Sequence, residues 1–177
     1  KGVGKSTLIK QYIRMHFAAD DRSVLYCSLD GIYFSSHTLI ELAGQFYKLG
    51  GKHLFLDEVH KYPNWSLEIK EISDLYPDLH LVLSGSSLLS LNAGQADLSR
   101  RCIDHDISGL SFREYLRFYE GITLPRYTLE DILSRPVEIC RQVNEVCKPV
   151  ETFKKYLKVG YYPFYLHYAK SYGTAIE

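Results

Sequence analysis

Residues 1–12 read KGVGKSTLIKQY, and the fold turns on how that stretch is understood. Gly2, Gly4, Lys5 and Ser6 match the end of the pattern G-x-x-x-x-G-K-[ST]. The first glycine of the pattern would fall one position before Lys1, and the strand that feeds such a loop would lie earlier still. Glycines of this kind let consecutive backbone N–H groups converge on phosphate oxygens at a helix N-terminus, where the helix dipole favours anions. In that reading Gly2, Val3, Gly4, Lys5, Ser6 and Thr7 contact a nucleotide. Lys5 reaches its β- and γ-phosphates, and the Ser6 hydroxyl ligates Mg²⁺. The alternative is a glycine-rich turn capping an ordinary helix, and the truncated motif alone does not separate the two.

Working outward, STLIKQYIRMHF (residues 6–17) places Leu8, Ile9, Tyr12, Ile13 and Phe17 on one helical face. SVLYCSLD is a short apolar run bounded by DDR and DG, which predicts a strand. SSHTLIELAGQFYKLGG supplies hydroxyl caps, then Leu39, Leu42, Ala43 and Phe46 at helical spacing, then a Gly-Gly stop. HLFLDE (53–58) predicts a strand, NWSLEIKEISDLY a helix through Trp65, Ile69, Ile72 and Leu75, and LHLVLSGSS a further strand. CIDHDI (102–107) alternates in polarity and fits a fifth strand at an edge. Strands alternating with helices imply crossover connections and a parallel sheet. Beyond Ser111 the pattern turns helical. Ser111 and Glu114 make a capping box ahead of FREYLRFY, GITLPRYT reads as a linker, and further helical patterns follow. The reading divides the chain into an α/β core over 1–120 that lacks its first strand and a helical extension over 121–177.

The second chemical element is the end of HLFLDE. An acid at a strand's C-terminal tip, here Asp57, can hold the water shell of Mg²⁺ opposite a phosphate loop. A second carboxylate beside it, Glu58, can take a proton from water attacking the γ-phosphate, which is general-base work. Ser84 or Ser86, after the LHLVL strand, could hydrogen-bond that water or the phosphate. Arg100 and Arg101 precede the fifth strand-like run, and a guanidinium there could stabilise transition-state charge. Serines as loop caps and arginines as surface charges explain these last residues equally well. His60, in DEVHKYP, is not part of H-E-x-x-H, so zinc is not suggested.

Composition narrows the class. With 177 residues, 46 % of them hydrophobic, the chain can bury one core. Its 21 basic and 21 acidic residues balance, which does not announce a strongly basic nucleic-acid binder. No apolar run approaches the roughly 18 residues of a membrane span. The four cysteines lack C-x-x-C or zinc spacing and read as reduced thiols, buried where they sit in strand-like runs, which suits cytoplasm.

The segments GVGKSTLI, SVLYCSLD, LFLDEVHKYPNW, LVLSGSSLLSL, LSRRCIDHDISGLSFREYL and YLKVGYYPFYL come in an order that resembles prokaryotic AAA-type P-loop ATPases. In those proteins the ATPase domain precedes a winged-helix-like segment and a C-terminal nuclease-like domain. The resemblance runs from Lys1 to roughly Leu166. It implies an α/β P-loop NTPase fold of the additional-strand catalytic-Glu type, with sheet order 5-1-4-3-2, helices on its flanks and a helical segment after it. It further implies that Lys5 and Ser6 end Walker A, that Asp57 and Glu58 form Walker B, that Ser86 is sensor 1 and that Arg101 is the arginine before strand five. Arg100 stands where the family commonly has glycine, and VGYYPFYL has tyrosines where Gly-Phe is commoner. The first strand would be central in that sheet, so the chain is expected to belong to a longer protein continuing at both ends. The function implied is hydrolysis of ATP to ADP and phosphate with Mg²⁺, without a membrane. An arginine acting across a subunit boundary would make it a homo-oligomer, with a nucleic-acid or protein client left open. The alternatives are an ATP-binding switch or scaffold with little turnover, and a P-loop small-molecule kinase.

Overall fold

The computed structural model describes residues 2–86, 98 and 101–164. Within them the chain separates into two compact units, Lys5–Asp106 and Lys1–Gly4 with Ile107–Glu177. Arg100, the residues 87–97 and 99 that follow the third strand, and the terminal helical pattern beyond Phe164 lie outside the described residues.

The unit Lys5–Asp106 alternates helix and strand. Its order is α1 (Lys5–His16), β1 (Val24–Ser28), α2 (Leu39–Lys48), β2 (His53–Asp57), α3 (Trp65–Leu75) and β3 (His80–Leu83). The strands form one parallel sheet in the order β1-β2-β3, with Val24 opposite His53 and His53 opposite His80. The three strand readings and the parallel sheet are thus borne out. β2 is central and its Leu54, Phe55, Leu56 and Asp57 are all buried, as a parallel strand covered on both faces requires.

Side-chain alternation sorts the two faces. Leu54 and Leu56 pack with Leu39, Ala43 and Phe46 of α2 and with Ile69 and Ile72 of α3, and Leu25 and Cys27 of β1 pack against the same core. Phe55 faces the other way, with its ring centroid 6.1 Å from Tyr12 and 6.4 Å from Phe17 at the end of α1. Tyr26 shares that second face, with Lys10 Nζ 4.9 Å from its ring centroid.

The helix ends follow from local chemistry. Thr38 and Glu41 form a reciprocal capping box at the start of α2. At its end the Gly50 N–H donates to Tyr47 O and the Gly51 N–H to Phe46 O, with Gly50 at φ 89°. This is the left-handed stop that glycine adopts without a Cβ penalty. Glu68 of α3 reaches across to accept from the N–H groups of Leu39 (3.0 Å) and Ile40 (3.1 Å) and from the Tyr62 hydroxyl (2.9 Å). A carboxylate at this helix N-terminus satisfies orphan donors and complements the dipole.

Three expectations are corrected. Residues 102–107 form no strand, and Ile103 is 85 % exposed. An edge strand forms only against a neighbour, and no described strand pairs with this segment. Cys102 is therefore exposed, as is Cys140, whereas Cys27 and Cys147 are half-buried; all four thiols are free. The face read on α1 is also only partly covered. The helix forms, but no side chain of it is buried, and Leu8 is 53 % exposed.

The remaining described residues, from Ile107 on, are helical: α4 (Phe112–Tyr119), α5 (Leu129–Ser134), α6 (Pro136–Val146) and α7 (Pro149–Lys155), then a π-helical turn over Tyr156–Gly160. The predicted box holds, with Ser111 Oγ accepting from Glu114 N and Ser111 N donating to Glu114 Oε2 at 2.8 Å. Residues 121–128 carry no regular structure, as the linker reading expects. Phe112, Tyr115, Tyr156 and Phe153 form an aromatic cluster, with Phe112 5.1 Å from Phe153 and 5.5 Å from Tyr156. Part of the chain's tyrosine content is spent there on packing.

Candidate functional site

The site is built on the C-terminal edge of the sheet, where ligands of open α/β folds bind. β2 delivers Asp57 to this edge with only 3 % of the residue exposed. A buried carboxylate needs donors, and Asp57 has three. The Tyr26 hydroxyl donates to Oδ2 at 2.6 Å, the Glu58 N–H donates to Oδ1 at 3.0 Å, and the Ser84 hydroxyl completes the set at Oδ1. Burial pushes the Asp57 carboxyl up, but the hydroxyls of Ser6, Ser84 and Tyr26 outweigh it, so the group sits below the usual aspartate value and is ionised at neutral pH. The same network works in reverse on Tyr26, whose phenol is raised by burial and then by Asp57, so it remains a donor.

Ser6 is one of the groups that lower the Asp57 carboxyl, which ties the start of α1 to the strand-end acid. Lys5 begins α1 and Ser6 lies in its first turn, with Thr7 exposed beside it. Upstream, Gly2 and Gly4 take φ 83° and 98°, flanking the half-buried Val3. A Cβ on Gly4 would meet no atom of the described residues within 4 Å, whereas one on Gly2 would lie 2.7 Å from the Phe164 ring.

Past Asp57 the chain turns sharply. Glu58 adopts a left-handed backbone (φ 54°, ψ 38°), and Val59–Lys61 form a 3₁₀ turn. The Val59 N–H donates to Ser84 O and the Ser84 N–H to Leu56 O, which carries the β2–β3 pairing beyond the strand ends. Glu58 Oε2 lies 3.4 Å from His60 Nε2, and the Ser86 N–H donates to His60 Nδ1 at 3.4 Å. The Ser86 hydroxyl is buried and has no hydrogen-bond partner among the described residues. Arg101 stands apart from this constellation, its guanidinium 2.8 Å from Asp74 of α3, with both side chains well exposed.

The residue pattern alone does not rank Ser84 against Ser86, the resemblance points to Ser86, and the structure gives the two different work. Ser84 is committed to Asp57, while the Ser86 hydroxyl has no partner among the described residues. Sequence reasoning also left two residues out of the site. It missed Tyr26 and His60. Tyr26 carried one usable signal, a hydroxyl-bearing aromatic two residues from the end of a strand flanking β2. His60 carried only its spacing from Glu58.

The donor set suits a hydrated, hard cation held with phosphates. The Ser6 hydroxyl and the ionised Asp57 carboxylate are both oxygen ligands. Among the described residues no group of three or more His, Cys, Asp or Glu forms a cage for a metal by itself. Mg²⁺ bound with nucleotide needs only one or two protein ligands and keeps its waters. No described helix is long and apolar enough to cross a membrane.

Comparison with known proteins agrees with this geometry. The chain is 29 % identical over 177 residues to an uncharacterized protein of Methanocaldococcus jannaschii, MJ1637. The match covers 94 % of this chain and 37 % of that relative, so the chain spans little more than a third of the relative's length. No solved structure matches. Residues 1–116, which carry the glycine-rich opening, the whole parallel sheet and the acid at its edge, match the AAA domain family. On that match the chain belongs to the AAA domain family.

Proposed function

We propose that this chain is an ATPase domain that binds ATP with Mg²⁺ and hydrolyses it to ADP and phosphate. The observation that carries the reading is the buried Asp57 at the C-terminal edge of the sheet, whose carboxyl the Ser6 hydroxyl at the start of α1 helps to hold below its ordinary value. Gly2, Val3, Gly4 and Thr7 supply backbone around the phosphates, and Lys5 pairs its ammonium with the β- and γ-groups. Ser6 and Asp57 hold Mg²⁺, which would neutralise charge building on the β–γ bridge. Glu58 accepts a proton from water as the water oxygen bonds to the γ-phosphorus and the bond to the β-γ bridging oxygen breaks. Ser86 offers its unpartnered hydroxyl to the γ-phosphate or that water. The order β1-β2-β3 agrees with the 4-3-2 part of 5-1-4-3-2 and supports the additional-strand catalytic-Glu type.

Arg101 is proposed as the arginine that stabilises transition-state charge, in its own site or in a neighbour's within a homo-oligomer. Its exposed pair with Asp74 is of the kind worth little, so exchange for a phosphate is cheap. The proposed organisation is a P-loop core over residues 1–120 and a helical extension over 121–177 that opens a winged-helix-like segment, with a nuclease-like domain beyond. Free thiols suit cytoplasm. A nucleic-acid or protein client would be acted on elsewhere in the protein.

One observation favours a second reading, an ATP-binding switch with little turnover: the Glu58 carboxylate is engaged by His60. A P-loop kinase is the third, and the tandem Asp57-Glu58 favours water over an acceptor. Steady-state phosphate release by the full natural protein, with and without candidate acceptors, separates the three. The ATPase reading expects acceptor-independent turnover, loss of nucleotide binding in Lys5→Ala, and retained binding with kcat lowered about a hundredfold or more in Glu58→Gln.

A further inference from the structure

Glu58 and His60 are two residues apart, a spacing that turns side chains away from each other in a regular helix. Here the left-handed backbone at Glu58, followed by the 3₁₀ turn, brings them together. His60 is mostly buried, with 21 % of its side chain exposed. One ring nitrogen faces Glu58 and the other faces the backbone of Ser86. The Ser86 N–H can only donate, so Nδ1 must accept and carries no proton. The ring proton then sits on Nε2, facing Glu58 Oε2 at 3.4 Å. The bridge ends beside a buried hydroxyl, Ser86 Oγ, that no described residue partners.

We propose that His60 is a positioning residue that ties the general base Glu58 to the end of β3, so that Glu58 and Ser86 keep one mutual geometry during hydrolysis. This rests on the ATPase reading above. His60 itself touches neither phosphate nor water. It aims the Glu58 carboxylate through Nε2–H and takes its own orientation from Ser86. Because misplacing a catalytic group by an ångström costs far more in rate than in affinity, removing the bridge should lower kcat and spare nucleotide binding. A glutamine can replace both halves of the bridge, its amide NH₂ donating to Glu58 and its carbonyl accepting from Ser86.

The test compares wild type, His60→Ala, His60→Gln and Glu58→Gln in the full natural protein. It reads phosphate release, ADP affinity by fluorescence titration and the ¹⁵N shifts of the histidine rings, with His60 assigned by its absence from His60→Gln. The expected result is a loss of about ten- to a hundredfold in kcat for His60→Ala, with KM and ADP affinity within roughly twofold. His60→Gln should recover much of the rate, and the wild-type His60 ring should be protonated on Nε2 and bare on Nδ1. His60→Ala with wild-type kcat beside an inactive Glu58→Gln would overturn the positioning role and leave the ATPase reading standing. A ring protonated on Nδ1 would overturn the bridge whatever the rates, and that measurement does not need His60→Ala to fold. Absence of turnover in wild type itself would instead defeat the ATPase reading, and the positioning role with it.

Discussion

The Tyr26 hydroxyl donates to Asp57 Oδ2 at 2.6 Å, from one parallel strand to the acid at the tip of the next. The register makes this contact. Ser28 is opposite Asp57 and Tyr26 is opposite Phe55, so Tyr26 and Asp57 sit diagonally on one face of the sheet. Tyr26→Phe keeps the ring and its packing but leaves a buried carboxylate oxygen short of a donor. It should cost about 1–3 kcal/mol of folding stability, measured by urea denaturation, and should weaken nucleotide binding more with Mg²⁺ than without. Unchanged stability would mean that the phenol contributes no net hydrogen bond.

Asp57 should also leave a mark on the acid limb of stability. Its folded value lies below the ordinary aspartate value, because the Ser6, Ser84 and Tyr26 hydroxyls outweigh burial. The unfolded chain therefore takes up the proton first as pH falls. The stabilisation is fully present above about pH 4 and is lost as the pH drops through the lower folded value. Asp57→Asn should flatten that part of the profile in chemical denaturation below about pH 4. Asp131, held down to about 2 by the Thr128 backbone and hydroxyl and by Arg135, is only half-buried and offers a control. Asp131→Asn should change the acid limb much less than Asp57→Asn does.

Glu68 is the cap of a helix to which it does not belong. Its carboxylate takes the Leu39 and Ile40 N–H groups and the Tyr62 hydroxyl. Glu68→Ala should destabilise the α/β unit by about 1–3 kcal/mol, with Glu68→Gln intermediate because the amide oxygen still accepts. Thermal unfolding followed by circular dichroism checks the order.

Arg101 lies on the surface whether it acts in its own site, in a neighbour's, or nowhere. Concentration dependence separates these cases. If it completes a neighbour's site, activity per subunit should rise with protein concentration. Mixing Arg101→Ala with Lys5→Ala subunits should then restore part of the turnover, since some interfaces carry both intact halves. Flat activity on dilution together with a dead mixture would remove Arg101 from any neighbour's site.

Local patterns in the sequence were enough for the strand-helix alternation, a hydroxyl cap before α2, the Ser111 cap and the Gly-Gly stop. Each of these depends on residues within about one turn or one strand. The fifth strand failed at 102–107 because a strand needs a partner as well as a pattern, and alternation in CIDHDI says nothing about who lies beside it.

Tertiary structure alone decided which hydroxyls surround Asp57. Tyr26 of β1 and Ser84, just past the end of β3, converge on it from either side, and only the parallel register sets that both reach the carboxylate. It also decided the difference between Ser84, spent on Asp57, and Ser86, whose hydroxyl is left for another partner. The His60 bridge had no sequence signature at all. It arises from one left-handed residue at Glu58, and a backbone angle of that kind is dictated by the packing around it rather than by a glutamate's own preference.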